Sequence, residues 1–280
     1  MSLCIGWIRK VKDSEEIVLI SDSCFSGGHR FMAAPKLFTV KRGDFALACA
    51  GSTTYSFAVI EHIRQAMDCN ELINHRTYDL ADMIHYVVDI TNETLCHEKE
   101  KILYDETDFK MILGGYSWKF KRPMLRIIEY SPQDKRFFAH DVQSLKLSPI
   151  AIIGDTDAVA KAYPAIYRRL DEDGVEDGGN WDMQPLSVLL DYIKDPAYTT
   201  IGGAPQMVKV YPYLHSEPWG ITDGVENRVY FYGRKLLKYE VFSHLIYNIN
   251  TGKVSVMKVV DEKFKREYEK VPELKVEEKK

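Results

Sequence analysis

Two apolar runs open the chain, residues 4–9 and 17–22, separated by the polar stretch KVKDSEE. Short runs of this kind around a polar break predict a β-hairpin. A Ser-Gly-Gly loop lies within 23–29, and residues 36–40 and 45–50 predict a second hairpin around Lys41-Arg42-Gly43-Asp44. After Gly51 the period changes. Phe57, Ile60, Ile63 and Met67 recur at helical steps behind Ser52 or Thr53 as cap. A second helix is predicted over 78–101, with Leu80, Ile84, Val87, Val88, Thr91 and Leu95 on one stripe. Strands return at 109–113, 124–130, 136–141 and 149–153. A helix follows over 155–170, with Pro164 expected to kink or restart it. The loop 171–182 separates it from a helix at 185–194, and further strands are expected at 206–211, 229–232, 241–248 and 253–260.

Strands and helices therefore come in blocks, which argues against a doubly wound parallel sheet. An α+β four-layer α-β-β-α sandwich accommodates the order. No repeat or internal linker interrupts it, so residues 1–260 are expected to form one domain. Beyond residue 261 charge rises and apolar periodicity fades, which predicts an exposed helix or a disordered tail over 261–280.

Composition refines this picture only where it excludes. With 280 residues, 45% hydrophobic and 28% charged, the chain can bury a sizeable core. A net charge of −4 gives no basic footprint for nucleic acid or an anionic membrane surface. Five scattered cysteines, Cys4, Cys24, Cys49, Cys69 and Cys96, form no CxxC pair, which fits a reducing compartment and gives no zinc site. No signal peptide and no apolar stretch of spanning length is visible, so a soluble cytoplasmic protein without metal or organic cofactor is expected. The acidic loop 171–182 lacks the spacing and final Glu of an EF-hand.

Candidate chemistry begins at Ser2. Methionine is readily removed before a small residue, leaving Ser2 with a free α-amine. An unperturbed α-amine has a pKa of about 7.7–8.0, so it can take the proton of a serine hydroxyl that is otherwise a weak nucleophile. Cys4 would be a nucleophile only after further trimming, and wall or core packing is expected of it. The Tyr-rich segments Val210-Tyr-Pro-Tyr213 and Val229-Tyr-Phe-Tyr232 are expected in a core or subunit interface.

The order Ser-Leu-Cys-Ile-Gly-Trp-Ile from Ser2, then Ile-Val-Leu-Ile-Ser-Asp-Ser, Pro-Lys-Leu-Phe and Ala-Leu-Ala-Cys-Ala-Gly-Ser resembles the N-terminal region of proteasome β subunits. It also resembles their bacterial relatives of HslV type and, more closely, of Anbu type. The resemblance covers residues 2 to about 70 and is traceable through Leu113-Gly-Gly-Tyr116 and Ile153-Gly154 to Gly202-Gly203. It implies an N-terminal nucleophile (Ntn) hydrolase, a peptidase with Ser2 where the family usually has threonine. Asp22 would orient Lys36 and the N-terminus. The charge of Lys36 would lower the amine pKa, and the Gly51 N–H would bind the oxyanion. Asp195, with Thr199 or Thr200, resembles the outer aspartate and hydroxyl. The spacing there is longer than the family pattern, and Asp155 follows Gly154 where a serine is expected.

By position, Ala34, Cys49, Thr53 and Phe57 would line the primary specificity pocket, which favours an apolar side chain. The resemblance further implies a peptide or protein substrate bound as an added strand, a homo-oligomeric ring or spiral, and an unfoldase as a possible partner. A non-catalytic assembly protein and an Ntn amidase acting on a small molecule are the alternatives.

Overall fold

The computed structural model of the chain describes residues 2–27, 29–97, 109–225, 228–260 and 265–270. The opening hairpin pairs β1 (Leu3–Val11) with β2 (Ser14–Ser21) across a two-residue turn in which Lys12 takes a φ of +55°. The second pairs β3 (Leu37–Thr39) with β4 (Phe45–Gly51). Helices α1 (Thr53–Cys69), α2 (Glu71–Asn74) and α3 (Leu80–Cys96) follow. Ser52 stands at the cap of α1 without a side-chain bond to it, whereas Asp79 and Asp82 form a capping box on α3. The predicted helix end at 98–101 lies outside the described residues.

Next come β5 (Phe109–Ser117), β6 (Arg122–Ser131), β7 (Arg136–Asp141), β8 (Gln143–Leu145) and β9 (Ser148–Gly154). Helices α4 (Thr156–Glu172) and α5 (Gln184–Lys194) lead to β10 (Gln206–Tyr211) and β11 (His215–Thr222). The chain ends in β12 (Val229–Phe231), β13 (Arg234–Lys235), β14 (Leu245–Asn248), β15 (Val254–Val260) and β16 (Lys265–Lys270).

Among the described residues the strands form two sheets. One has eleven strands, with the path β16-β15-β14-β11-β10-β2-β1-β9-β8 and β12 and β13 branching from β11. The other runs β3-β4-β5-β6-β7. All pairings are antiparallel except β11 with β14. This is an α+β fold with large antiparallel sheets.

Strand alternation sends β1 into two apolar environments. Leu3, Ile5 and Trp7 pack with Ala158, Ile166 and Leu170 of α4 and Leu186 and Leu189 of α5. Cys4 turns the other way, to Leu37, Ala46, Ala48 and Ile112 of the smaller sheet. The opposite face of that sheet, through Leu47, Phe109 and Leu113, packs on Ile60, Ile63 and Met67 of α1 and Met83, Ile84 and Val87 of α3.

Four expectations change. Helix α4 runs through Pro164 without restarting. The proline is on the exposed side of α4, where water can satisfy the carbonyl it leaves without a partner. The strand expected over 241–248 is confined to β14. Strand β11 was not foreseen at all. Residues 265–270, expected helical or disordered, pair as β16 with β15.

Candidate active site

Strand β1 is central in its sheet, flanked by β2 and β9, so its first residues are held from both sides. The Ser2 carbonyl accepts the Asp155 N–H at 2.7 Å, and the Leu3 N–H donates to Asp22 Oδ1 at 3.0 Å. Gly154 makes the first contact possible. Its φ is +136°, and a Cβ there would fall on the Ser2 carbonyl oxygen. Ser2 is thereby fixed in position and 3% exposed.

Asp22 and Lys36 form an ion pair with both side chains at 0% exposure. Lys36 Nζ donates to Asp22 Oδ1 at 2.7 Å and to the Cys24 carbonyl at 2.6 Å. The other carboxylate oxygen accepts the N–H of Cys24 at 2.9 Å and of Gly202 at 3.0 Å. Asp22 thus takes four donors from four places in the sequence. A buried pair is stable only with such full satisfaction, because removing two charges from water costs several kcal/mol each.

Gln206, absent from the sequence reading, ties this pair together. Its Nε2 lies within bonding distance of Asp22 O (3.1 Å), Ser23 Oγ (2.8 Å) and Ala34 O (2.7 Å), and its Oε1 accepts the Lys36 N–H at 3.1 Å. A lone Gln at a strand start carries no sequence signal for this role.

The remaining predicted residues divide. Cys49 donates its N–H to Lys36 O at 2.9 Å, and its carbonyl accepts from Cys4 Sγ at 3.3 Å. Burial pushes the Cys4 thiol up to about 12, against the opposing pull of Lys36, and pushes Cys49 up as well. Ala34 is fully buried, its N–H donating to the Ser23 carbonyl at 3.0 Å. Thr53 opens α1, and Gly51 closes β4 opposite Phe109. Phe57 is half exposed and meets Phe25 edge-on at 5.5 Å and Phe38 at 6.5 Å. The Phe25 ring in turn lies 5.7 Å from Lys36 Nζ.

Thr200 donates to Asp155 Oδ2 at 3.0 Å, which joins it to the residue that holds Ser2. The other Asp155 oxygen caps α4. Asp195 stands apart, exposed at the C-terminus of α5, its carboxylate accepting the Ala197 N–H at 2.9 Å.

The sequence matches no family model and no curated protein. Solved structures do resemble the fold. Anbu (ancestral beta-subunit) from Yersinia bercovieri superposes with a TM-score of 0.52 at 14% identity, over 77% of this chain and 86% of that one. The helical assembly of the Anbu complex from Pseudomonas aeruginosa gives 0.56 at 16%, over 80% and 88%. Anbu from Hyphomicrobium sp. strain MC1 gives 0.52 at 15%, over 77% and 86%. At these identities the likeness establishes the fold, an α+β architecture shared with Anbu proteins. No helix among the described residues is long and apolar enough to cross a membrane.

Proposed function

We propose that this chain is a proteasome-like Ntn hydrolase of Anbu type that cleaves amide bonds with Ser2 once Met1 is removed. The observation that carries the reading is the buried Asp22–Lys36 pair, linked through the Leu3 N–H to the residue after Ser2. A fully buried ion pair is not an economical way to stabilise a core. Beside a candidate nucleophile it has a use, since a positive charge near an α-amine lowers the amine pKa.

In the proposed reaction Ser2 Oγ attacks the substrate carbonyl while the Ser2 α-amine takes the hydroxyl proton. The oxyanion accepts from the Gly51 N–H. The C–N bond breaks as the protonated amine gives its proton to the leaving nitrogen. Water, deprotonated by the same amine, then hydrolyses the ester and restores Ser2. Asp155 and Thr200 take the outer polar positions, with Asp155 in place of Asp195. Ala34, Cys49, Thr53 and Phe57, joined by Phe25 and Phe38, would receive an apolar substrate side chain.

The packing of α4 and α5 on one sheet, α1 and α3 on the other, and Cys4 with Leu37, Ala46 and Ala48 between them supports a four-layer α-β-β-α sandwich, with residues 1–260 as one domain. A cytoplasmic homo-oligomer, ring or spiral, acting on peptides and working with an unfoldase, completes the reading. It draws on the assembly described for the Pseudomonas aeruginosa protein.

A second reading, a non-catalytic assembly protein, is favoured by the 3% exposure of Ser2. Intact mass and a β-lactone or epoxyketone probe decide between them. The hydrolase has lost Met1 and carries the probe on Ser2, and Ser2→Ala abolishes labelling. Retained Met1, or equal labelling of Ser2→Ala, refutes it.

A further inference from the structure

We propose that Gln206 and Gly233 are positioning residues for the Asp22–Lys36 pair, through which the C-terminal strands set the geometry of the site; the inference rests on the reading of Ser2 as nucleophile. Residues 22–24 and 34–36 carry the two charges, and neither segment lies within a strand. No strand ladder spans them, and one backbone bond, from the Ala34 N–H to the Ser23 carbonyl at 3.0 Å, joins them directly.

The Gln206 carboxamide adds three further ties to that single bond. It reaches the backbone of Asp22 and Ala34 with its nitrogen and the Lys36 N–H with its oxygen. The side chain is 1% exposed, so each lost bond would leave a buried group unsatisfied. The Ser23 hydroxyl completes the brace by donating to Ala204 O at 2.5 Å and accepting from Gln206.

Gly233 presses on this brace from the C-terminal side. It lies in the turn between β12 and β13 with a φ of +79°, and a Cβ there would strike Ser23 Oγ, 2.5 Å from Ser23 Cβ and 3.3 Å from Gln206 Nε2. The neighbouring Tyr232 hydroxyl lies 3.4 Å from Thr39 Oγ1 of β3. The turn is rooted in a separate apolar cluster of Val229, Leu236, Phe242, Ile246 and Met257. Arg234 meets both Glu240 oxygens at 2.7 and 2.8 Å and stiffens it. A displacement in these late strands is therefore delivered to Ser23, Gln206 and the charged pair.

The test uses the full chain with Met1 removed, in wild type, Gln206→Met and Gly233→Ala. Two readouts are taken: the rate of Ser2 labelling by a β-lactone against pH, and the Nζ resonance of Lys36, whose exchange with water is slow when the ammonium is buried and bonded. Positioning predicts labelling at least tenfold slower at neutral pH for Gln206→Met and Gly233→Ala, with the rising limb moved to higher pH. It also predicts a broadened or lost Lys36 resonance.

A purely structural role would lower melting temperatures while leaving the pH profile and the resonance in place, and that result overturns the proposal. If wild type is not labelled at all, the nucleophile reading fails. The Lys36 resonance still tests the positioning, which is overturned if both single variants keep it. Should Gln206→Met fail to fold, Gly233→Ala carries the test.

Discussion

Removing the two members of the buried ion pair should have unequal effects on stability. In Lys36→Met the Asp22 carboxylate keeps the N–H groups of Leu3, Cys24 and Gly202. It remains an anion with three donors, and the loss is about 3–6 kcal/mol for the two charge-assisted bonds of Lys36, to Asp22 and to the Cys24 carbonyl. In Asp22→Ala the Lys36 ammonium is left at 0% exposure with only the Cys24 carbonyl. An uncompensated buried charge costs about 3–5 kcal/mol, and each of the three orphaned N–H groups adds about 1–3 kcal/mol. The total is at least about 6 kcal/mol, comparable with the ~5–15 kcal/mol that holds a whole domain folded. The double variant Asp22→Ala/Lys36→Met removes the stranded cation and should be more stable than Asp22→Ala by about 3 kcal/mol. At about 2–4 °C per kcal/mol for a large domain, it should melt about 6–12 °C higher. Calorimetry on the three variants measures this directly. A double variant that melts at or below Asp22→Ala would show that no buried charge was stranded, and the reasoning would fall.

Gly154→Ala should displace the Ser2 backbone, because the new methyl meets the Ser2 carbonyl oxygen; a loss of at least about 1–3 kcal/mol from backbone strain alone would register in urea unfolding, and unchanged stability would refute the close approach. In the native protein iodoacetamide at pH 8 should alkylate the exposed Cys69 and Cys96 and spare the buried Cys4, Cys24 and Cys49; mass spectrometry counts two modified thiols before denaturation and five after. The Cys4 thiol is raised by burial from 9 to about 12, so its stabilising share is complete below about pH 9 and lost as pH rises towards 12. Melting temperature should therefore decline less steeply between pH 9 and 11 in Cys4→Ala than in wild type, and parallel curves would refute the shift.

The elements legible in the sequence are those whose period comes from one continuous face. The strands β1, β2, β4 and β10 and helices α1 and α3 carry apolar residues in unbroken order. Strand β11 was hidden by Pro218 and Gly220, which read as breakers. Its β14 partner begins only at Gly220, so on that side Pro218 faces no ladder and its missing N–H is tolerated. Asp22 and Lys36 could be named because they stand at strand ends in a recognisable order. Gln206 and Gly202 meet this pair, and Asp155 meets Ser2, from more than about 150 residues away, through individual hydrogen bonds for which local sequence has no period or spacing. Asp195 matches the family's outer aspartate in one dimension, yet its carboxylate accepts the nearby Ala197 N–H, whereas Asp155, standing where a serine is expected, donates its N–H to the Ser2 carbonyl.

The place of β1 in the larger sheet has a bearing on when the molecule can act. Its neighbours are β2, made at once, and β9, which lies about 150 residues later. The last donors to Asp22 and the brace on Lys36 arrive only with Gly202 and Gln206. A growing chain therefore carries Ser2 from the start but has no assembled charge pair until more than two thirds of it has been synthesised. Contacts this distant in sequence form late, so under the hydrolase proposal the order of manufacture itself would act as a safety catch, withholding the charge pair from the nascent chain.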